Sequence, residues 1–181
     1  MRHLTSHHRS RGFTMIEILV TLVVTAVGML GLAGFVARAT TMSADSVQRA
    51  RAAVLVNEMA ARLNDNKAIA ATFVNADGTN IQLRGANVAP CAGLVGAPLQ
   101  LCQWNNLLAG ANDGGSGARF LGYRGCVTRP NVADPLYIVT VTWGSMNAAT
   151  PPADACGAGE FGDESQRRVL RLRVWVANLA A

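Results

Sequence analysis

The first forty residues divide into a polar stretch and an apolar one. Residues 1–12, MRHLTSHHRSRG, are polar and basic. From Phe13 to Ala37 the chain reads FTMIEILVTLVVTAVGMLGLAGFVA, and Glu17 is its only charge. As a helix this run spans about 38 Å, more than the roughly 30 Å of a bilayer core. It is apolar on every side, which a helix lying on one face of a core does not require. It is longer than the apolar region of a secretory signal peptide, and a carboxylate near its start does not suit one. The pattern predicts a membrane span over 13–37. Basic residues ahead of the span keep the N-terminus cytoplasmic and send the rest across the membrane.

The pattern then changes period. Residues 38–64 contain neither Gly nor Pro. Ala52, Leu55, Val56, Met59, Ala60 and Leu63 follow helical spacing and line one face. Arg51, Glu58 and Arg62 fall off that face, with Glu58 and Arg62 in the favoured i, i+4 order. Asn64, Asp65 and Asn66 supply an end signal. One helix over 13–64 is predicted, apolar in its first half and amphipathic in its second. From Asp65 to Gly117 the chain reads as loop, with a short helix over Leu99–Leu108 anchored by Trp104 and a turn at Asn112–Gly117. Three strands are predicted at Ala118–Thr128, Leu136–Gly144 and Arg168–Leu179. In the second, Tyr137, Val139, Val141 and Trp143 alternate with Ile138, Thr140 and Thr142. In the third, Leu170, Leu172, Val174 and Val176 oppose Arg171 and Arg173. Such alternation describes a sheet with one face buried and one wet. Residues 38–64 cover the buried face. Residues 129–135 suit a hairpin loop, and the Pro- and Gly-containing stretch Ser145–Ser165 suits a surface loop. The fold class is α+β: a long N-terminal helix packed on a small antiparallel β-sheet. The chain divides into a leader at 1–12, a membrane half of the helix at 13–37, an amphipathic half at 38–64 and a head at 65–181.

Composition agrees with a folded head. Half of the 181 residues are apolar and 15% are charged, which excludes a chain held open by charge. The net charge of +5 suggests an acidic partner until its distribution is seen. Arg2, Arg9 and Arg11 supply three of the five charges, and His3, His7 and His8 are the only histidines. Beyond residue 12 the side chains carry +2 and no histidine. Ser-His-Asp and Cys-His chemistry is therefore excluded there, and the chain does not read as an enzyme. Asp154, Glu160, Asp163 and Glu164 read as a solvated loop. Gly114–Gly117 lacks the Lys of a phosphate loop. Arg167, Arg168, Arg171 and Arg173 read as a solvated sheet edge, with DNA as a weakly supported partner.

All four cysteines, Cys91, Cys102, Cys126 and Cys156, fall in the exported part, where disulfides form. Three connectivities are open. Cys91–Cys102 is favoured as a short loop, and Cys126–Cys156 as a tie from a strand to the long loop. Loop closure of this size is worth about 3 kcal/mol in entropic models. A zinc site would need a C-x2-C pair or histidine and has neither, so no metal and no cofactor is expected.

Glu17 carries the functional reading. A carboxylate at the bilayer centre costs about 2.5–3.5 kcal/mol on insertion scales, and such residues have partners. No Lys, Arg or His follows within the span, so the partner comes from elsewhere. A free α-amino group on Phe13, released by cutting after Gly12, would serve. The string RGFTMIEILVTLVVTAVGMLGLAGF resembles the class III signal of type IV pilins and pseudopilins. Arg11, Gly12, Phe13, Thr14, Met15, Ile16 and Glu17 match that pattern in order, with Met15 where Leu is commonest. Gly28-Met29-Leu30-Gly31-Leu32-Ala33-Gly34 is similar to the stretch found in PilV-type minor pilins. Gly28, Gly31 and Gly34 also let helices approach closely.

The resemblance implies a prepilin peptidase that cuts between Gly12 and Phe13 and N-methylates Phe13. It implies that Glu17, with Thr14, sets register against other minor and major pilins through the N-terminal helix. The precursor would lie in the inner membrane with its head in the periplasm, and the mature subunit in a pilus fibre at the cell surface. Priming or joining fibre assembly is the implied role, with twitching, adhesion and DNA uptake downstream. A minor pseudopilin of a type II secretion system is the nearest alternative. A membrane-anchored periplasmic binding domain that does not polymerise is the alternative of another class.

Overall fold

The computed structural model describes residues 12–77, 81–83, 90–110 and 122–177. They divide into two units, Met1–Ser43 and Ala44–Ala181. Helix α1, Met15–Asp65, begins in the first and ends in the second. It starts two residues later than the apolar run suggests and ends one residue later.

In the first unit, every large apolar side chain from Phe13 to Val36 is more than half exposed. The helix is long and apolar enough to cross a bilayer. Its hydroxyls are satisfied internally. Thr21 donates to the Ile18 carbonyl at 2.9 Å, and Thr25 to the Thr21 carbonyl at 2.8 Å. A bilayer would demand this, because it holds no water to take the bond.

In the second unit, α1 buries Ala52, Leu55, Val56, Met59, Ala60 and Leu63. These are the six positions that helical spacing selects. A second helix, α2, runs Gly96–Gly110. It contains the expected 99–108 segment and extends it at both ends. Trp104 is fully buried and donates its indole N–H to the Leu55 carbonyl at 2.9 Å. That bond fixes α2 on α1 and satisfies the one polar atom of a large apolar side chain. Arg62 adds bonds to Gln100 and Gln103 at the exposed margin.

Four antiparallel strands form one sheet in the order β1-β2-β3-β4: Ile81–Leu83, Arg124–Thr128, Leu136–Gly144 and Arg167–Trp175. The arrangement is α+β, with Val127, Val139 and Val141 of the sheet in one core with Met59, Leu63 and Trp104. Strand β3 has the predicted bounds. Strand β1 falls in the stretch read as loop, because three residues are too few to show alternation. Strand β2 begins at Arg124 rather than Ala118, and residues 118–121 lie outside those described. Strand β4 ends at Trp175, and residues 178–179 of the expected strand also lie outside those described.

The expectation of one wet sheet face holds at Arg171, Arg173 and Trp175 and is corrected over the rest of that face. Thr140 and Thr142 of β3 are buried along with the apolar side chains that alternate with them. The segment 145–166 covers them with Cys156 and Phe161, both buried. Gly157, at φ +67°, comes so close that a Cβ there would stand 2.5 Å from Thr142 Oγ1. The turn that opens this segment is tied to α1, since Asp45 accepts from Ser145 Oγ at 2.9 Å and Asn147 Nδ2 at 2.6 Å.

Gly125 sets the distance between α2 and the sheet. A Cβ there would lie 2.4 Å from Trp104 Cη2 and 2.8 Å from Leu108 Cδ1. Both neighbours are fully buried, so either must shift against the packed core. Gly125→Ala is therefore expected to destabilise the head by about 1–3 kcal/mol, the usual cost of overpacking. Urea unfolding of the detergent-solubilised chain, followed by Trp fluorescence, measures it.

Candidate functional site

The N-terminal site is built on the first turn of α1. Gly12 and Phe13 precede the helix, and Phe13 is exposed. The Thr14 carbonyl accepts from the Glu17 and Ile18 amides at 3.1 and 3.3 Å, and Thr14 Oγ1 lies 3.4 Å from the Glu17 amide. Thr-x-x-Glu ahead of an apolar run is a helix-start signature. It accounts locally for Thr14, a role the sequence reading did not give it. Glu17 also sits where the helix dipole favours an anion. Among the described residues its carboxylate has no hydrogen-bond or ion-pair partner, whereas the threonine hydroxyls of the span all have one. Further along, nothing lies within 4 Å of where a Cβ would stand on Gly28, Gly31 or Gly34. The segment thus offers one unpaired anion near its start and a bare backbone strip beyond it. Both are features that another helix can meet.

The cysteines are brought together as Cys91–Cys102 and Cys126–Cys156, the two pairs that the sequence favours. The first joins the segment before α2 to α2 itself. The second joins β2 to the covering segment 145–166.

The four carboxylates of that segment lie in the loop as expected, with Asp163 exposed, but they have fixed partners rather than water alone. Each holds the segment in place. Asp154 accepts from the Cys156 amide and pairs with Arg171 at 2.9 Å. Glu160 lies 3.6 Å from Arg124. Asp163 accepts from the Ser165 amide, which holds its carboxyl below the usual carboxylate range. Glu164 accepts from the Gly159 amide and from Arg167, and these bonds hold it below that range as well. The arginines change too. Arg167 is buried, with its guanidinium on the carbonyls of Pro152, Asp154 and Cys156. Arg168 donates to the carbonyls of Ser165, Arg167 and Asn147. Only Arg171 and Arg173 project as expected of a wet edge, and among the described residues Arg173 alone of the four has no partner. Alternation by itself hides this, because the cover over the sheet is not periodic. The signal available was the loop's own content of Cys156, Phe161 and paired acidic residues.

Among the described residues no group of three or more His, Cys, Asp or Glu side chains is placed to hold a metal. The Asn112–Gly117 turn and Arg11 lie outside the described residues.

Residues 7–33 match the family model described as the prokaryotic N-terminal methylation motif. No curated protein and no solved structure matches the chain. The match falls on the segment that carries Gly12, Phe13, Glu17, Gly28 and Gly31. It indicates a type IV pilin-like or pseudopilin protein, which implies processing by a prepilin peptidase and assembly with other pilins. Together with an apolar, uncovered helix it fits membrane anchoring.

Proposed function

We propose that the chain is a minor pilin of a type IV pilus, of the PilV type, that primes or joins fibre assembly. The peptidase cuts after Gly12 and methylates the new amine of Phe13. The precursor waits in the inner membrane with its N-terminus cytoplasmic and its head in the periplasm. On assembly, Glu17 meets the Phe13 amine of a neighbouring subunit and sets the register between them, while Gly28, Gly31 and Gly34 let the apolar helices pack closely. The head supplies contacts and no chemistry, so the protein is not an enzyme and needs no cofactor.

One observation carries this reading. Among the described residues Glu17 is an unpaired carboxylate, four residues beyond Phe13, whose amine cleavage would free, inside a methylation motif and an exposed apolar helix. An ion left alone in lipid is unfavourable, and assembly supplies its counterion.

Intact-mass and N-terminal analysis of the native protein, with and without reduction, tests it. The expected species starts at Phe13, has 169 residues, carries one methyl group and gains four hydrogens on reduction. An intact N-terminus on membrane-extracted protein would refute assembly as a pilin and leave a membrane-anchored binding domain. Recovery of the processed protein with sheared pili supports the pilus. Recovery with a type II secretion complex instead moves the reading to a minor pseudopilin.

A further inference from the structure

We infer that the edge of β4 left unpaired among the described residues is a docking strand for an extended, acidic segment of another protein. This goes beyond the fibre reading and does not depend on it.

Strand β4 closes one side of the sheet and pairs only with β3 among the described residues. Two ladder bonds fix its hydrogen-bonding phase. Ser145 N donates to the Gln166 carbonyl at 2.8 Å, and Val176 N to the Pro135 carbonyl at 2.9 Å. Antiparallel pairing alternates, so the even-numbered residues between them turn their backbone groups toward β3. Val169, Arg171, Arg173 and Trp175 therefore turn their N–H and C=O groups outward. Such a row is a template for a further strand.

The side chains at this edge add specificity. Arg171, Arg173 and Trp175 project from one face, and all three are exposed. Trp175 is 65% exposed, unusual for the largest apolar side chain. Its cross-strand partner is Leu136, and that of Arg173 is Ile138, so half-buried apolar side chains lie beside the exposed ones. The segment 145–166 covers this face at Thr140, Thr142 and Arg167 and leaves the Arg173–Trp175 end bare. Exposed Trp and Arg are the residues that dominate binding energy at protein interfaces.

Charge selects the occupant. Strand β4 has four arginines, no acidic residue, no Pro and no Gly. Two copies of β4 would set like charges opposite each other, which disfavours self-pairing. An acidic strand meets no such repulsion. A nucleic acid suits the edge less well. Arg167 is buried, Arg168 is tied to carbonyls and Arg171 is shared with Asp154, which leaves a short track of cations for phosphates. The fitting ligand is a strand with an acidic residue opposite Arg173, the arginine without a partner among the described residues, and an apolar residue against Trp175.

Fluorescence anisotropy of the detergent-solubilised full chain tests this, with a fluorescein-labelled Glu-Val peptide as the probe, in which one face carries Glu and then Val at successive alternate positions and Thr fills the positions between. Saturable binding is expected, with little binding of a Lys-Val counterpart or of a Glu-Val peptide interrupted by Pro. Trp175→Ala should weaken binding about tenfold, the ratio that 1.4 kcal/mol produces. Arg173→Gln should weaken it less. Arg173→Pro removes an outward N–H and no ladder bond to β3, a place where an edge strand tolerates Pro. It should abolish binding while circular dichroism stays unchanged. Equal binding by Arg173→Pro and wild type, or by the Pro-interrupted peptide, would overturn edge pairing. No binding at millimolar peptide would overturn the site. Binding of a single-stranded oligonucleotide in place of the peptide would assign the edge to nucleic acid and overturn the proposal.

Discussion

Glu17→Ala is expected to leave cleavage after Gly12 intact and to reduce recovery in sheared fibres by at least about tenfold, or 1.4 kcal/mol of assembly free energy. Two effects act in the same direction. In the fibre, the substitution leaves the Phe13 amine of a neighbour without its carboxylate, and breaking such a pair in apolar surroundings is strongly unfavourable. In the membrane, it removes an ion whose insertion costs about 2.5–3.5 kcal/mol, so the unassembled subunit becomes more comfortable in lipid. The equilibrium shifts from fibre to membrane on both counts. Glu17→Gln separates them. It keeps the shape and a hydrogen-bonding group, and it loses the charge that answers the amine. Its recovery should fall between wild type and Glu17→Ala. Immunoblots of sheared and membrane fractions, with intact mass on each, give processing and incorporation separately. Recovery of Glu17→Ala in fibres at the wild-type level would end the pairing role.

The parts of this molecule that repeat were the parts legible in its sequence. The buried face of α1 follows from 3- and 4-residue spacing, and β3 from alternation over nine residues. Glu17 was legible because a lone charge stands out in an apolar run. Where no period exists, the reading failed. Strand β1 has three residues, fewer than two periods of alternation can occupy. Thr140 and Thr142 looked wet because they are polar, yet their cover is an irregular segment that arrives from later in the chain. Arg167 looked solvated for the same reason. Its partners are backbone carbonyls, which every residue owns and no sequence pattern marks. Thr14 shows the reverse: its capping position was written plainly as Thr-x-x-Glu and was absorbed into the larger motif.

Arg167→Met should destabilise the head by about 3 kcal/mol, more than any change at its surface. Arg167 is 3% exposed, and its guanidinium makes four bonds. It donates to Asp154 O at 2.7 Å, Cys156 O at 2.9 Å, Pro152 O at 3.0 Å and Glu164 Oε2 at 2.6 Å. Methionine replaces much of the volume, so the loss reports the bonds rather than a cavity. Three carbonyls and a carboxylate lose their donor together, and orphaned acceptors under cover cost more than the net value of each bond. The Glu164 pair by itself is the smaller part, because its carboxylate is 36% exposed and partly screened by water. The Cys126–Cys156 bond survives the substitution and keeps the segment tethered, which gives the prediction its shape. The chain should still fold and retain both disulfides, while residues 145–166 become sensitive to limited proteolysis. A second readout isolates the guanidinium. The Gly159 amide and Arg167 together hold the Glu164 carboxyl below its ordinary 4.5, so the variant should raise it in an NMR titration. Unchanged urea stability together with an unchanged Glu164 titration would mean that the disulfide alone holds the cover on the sheet.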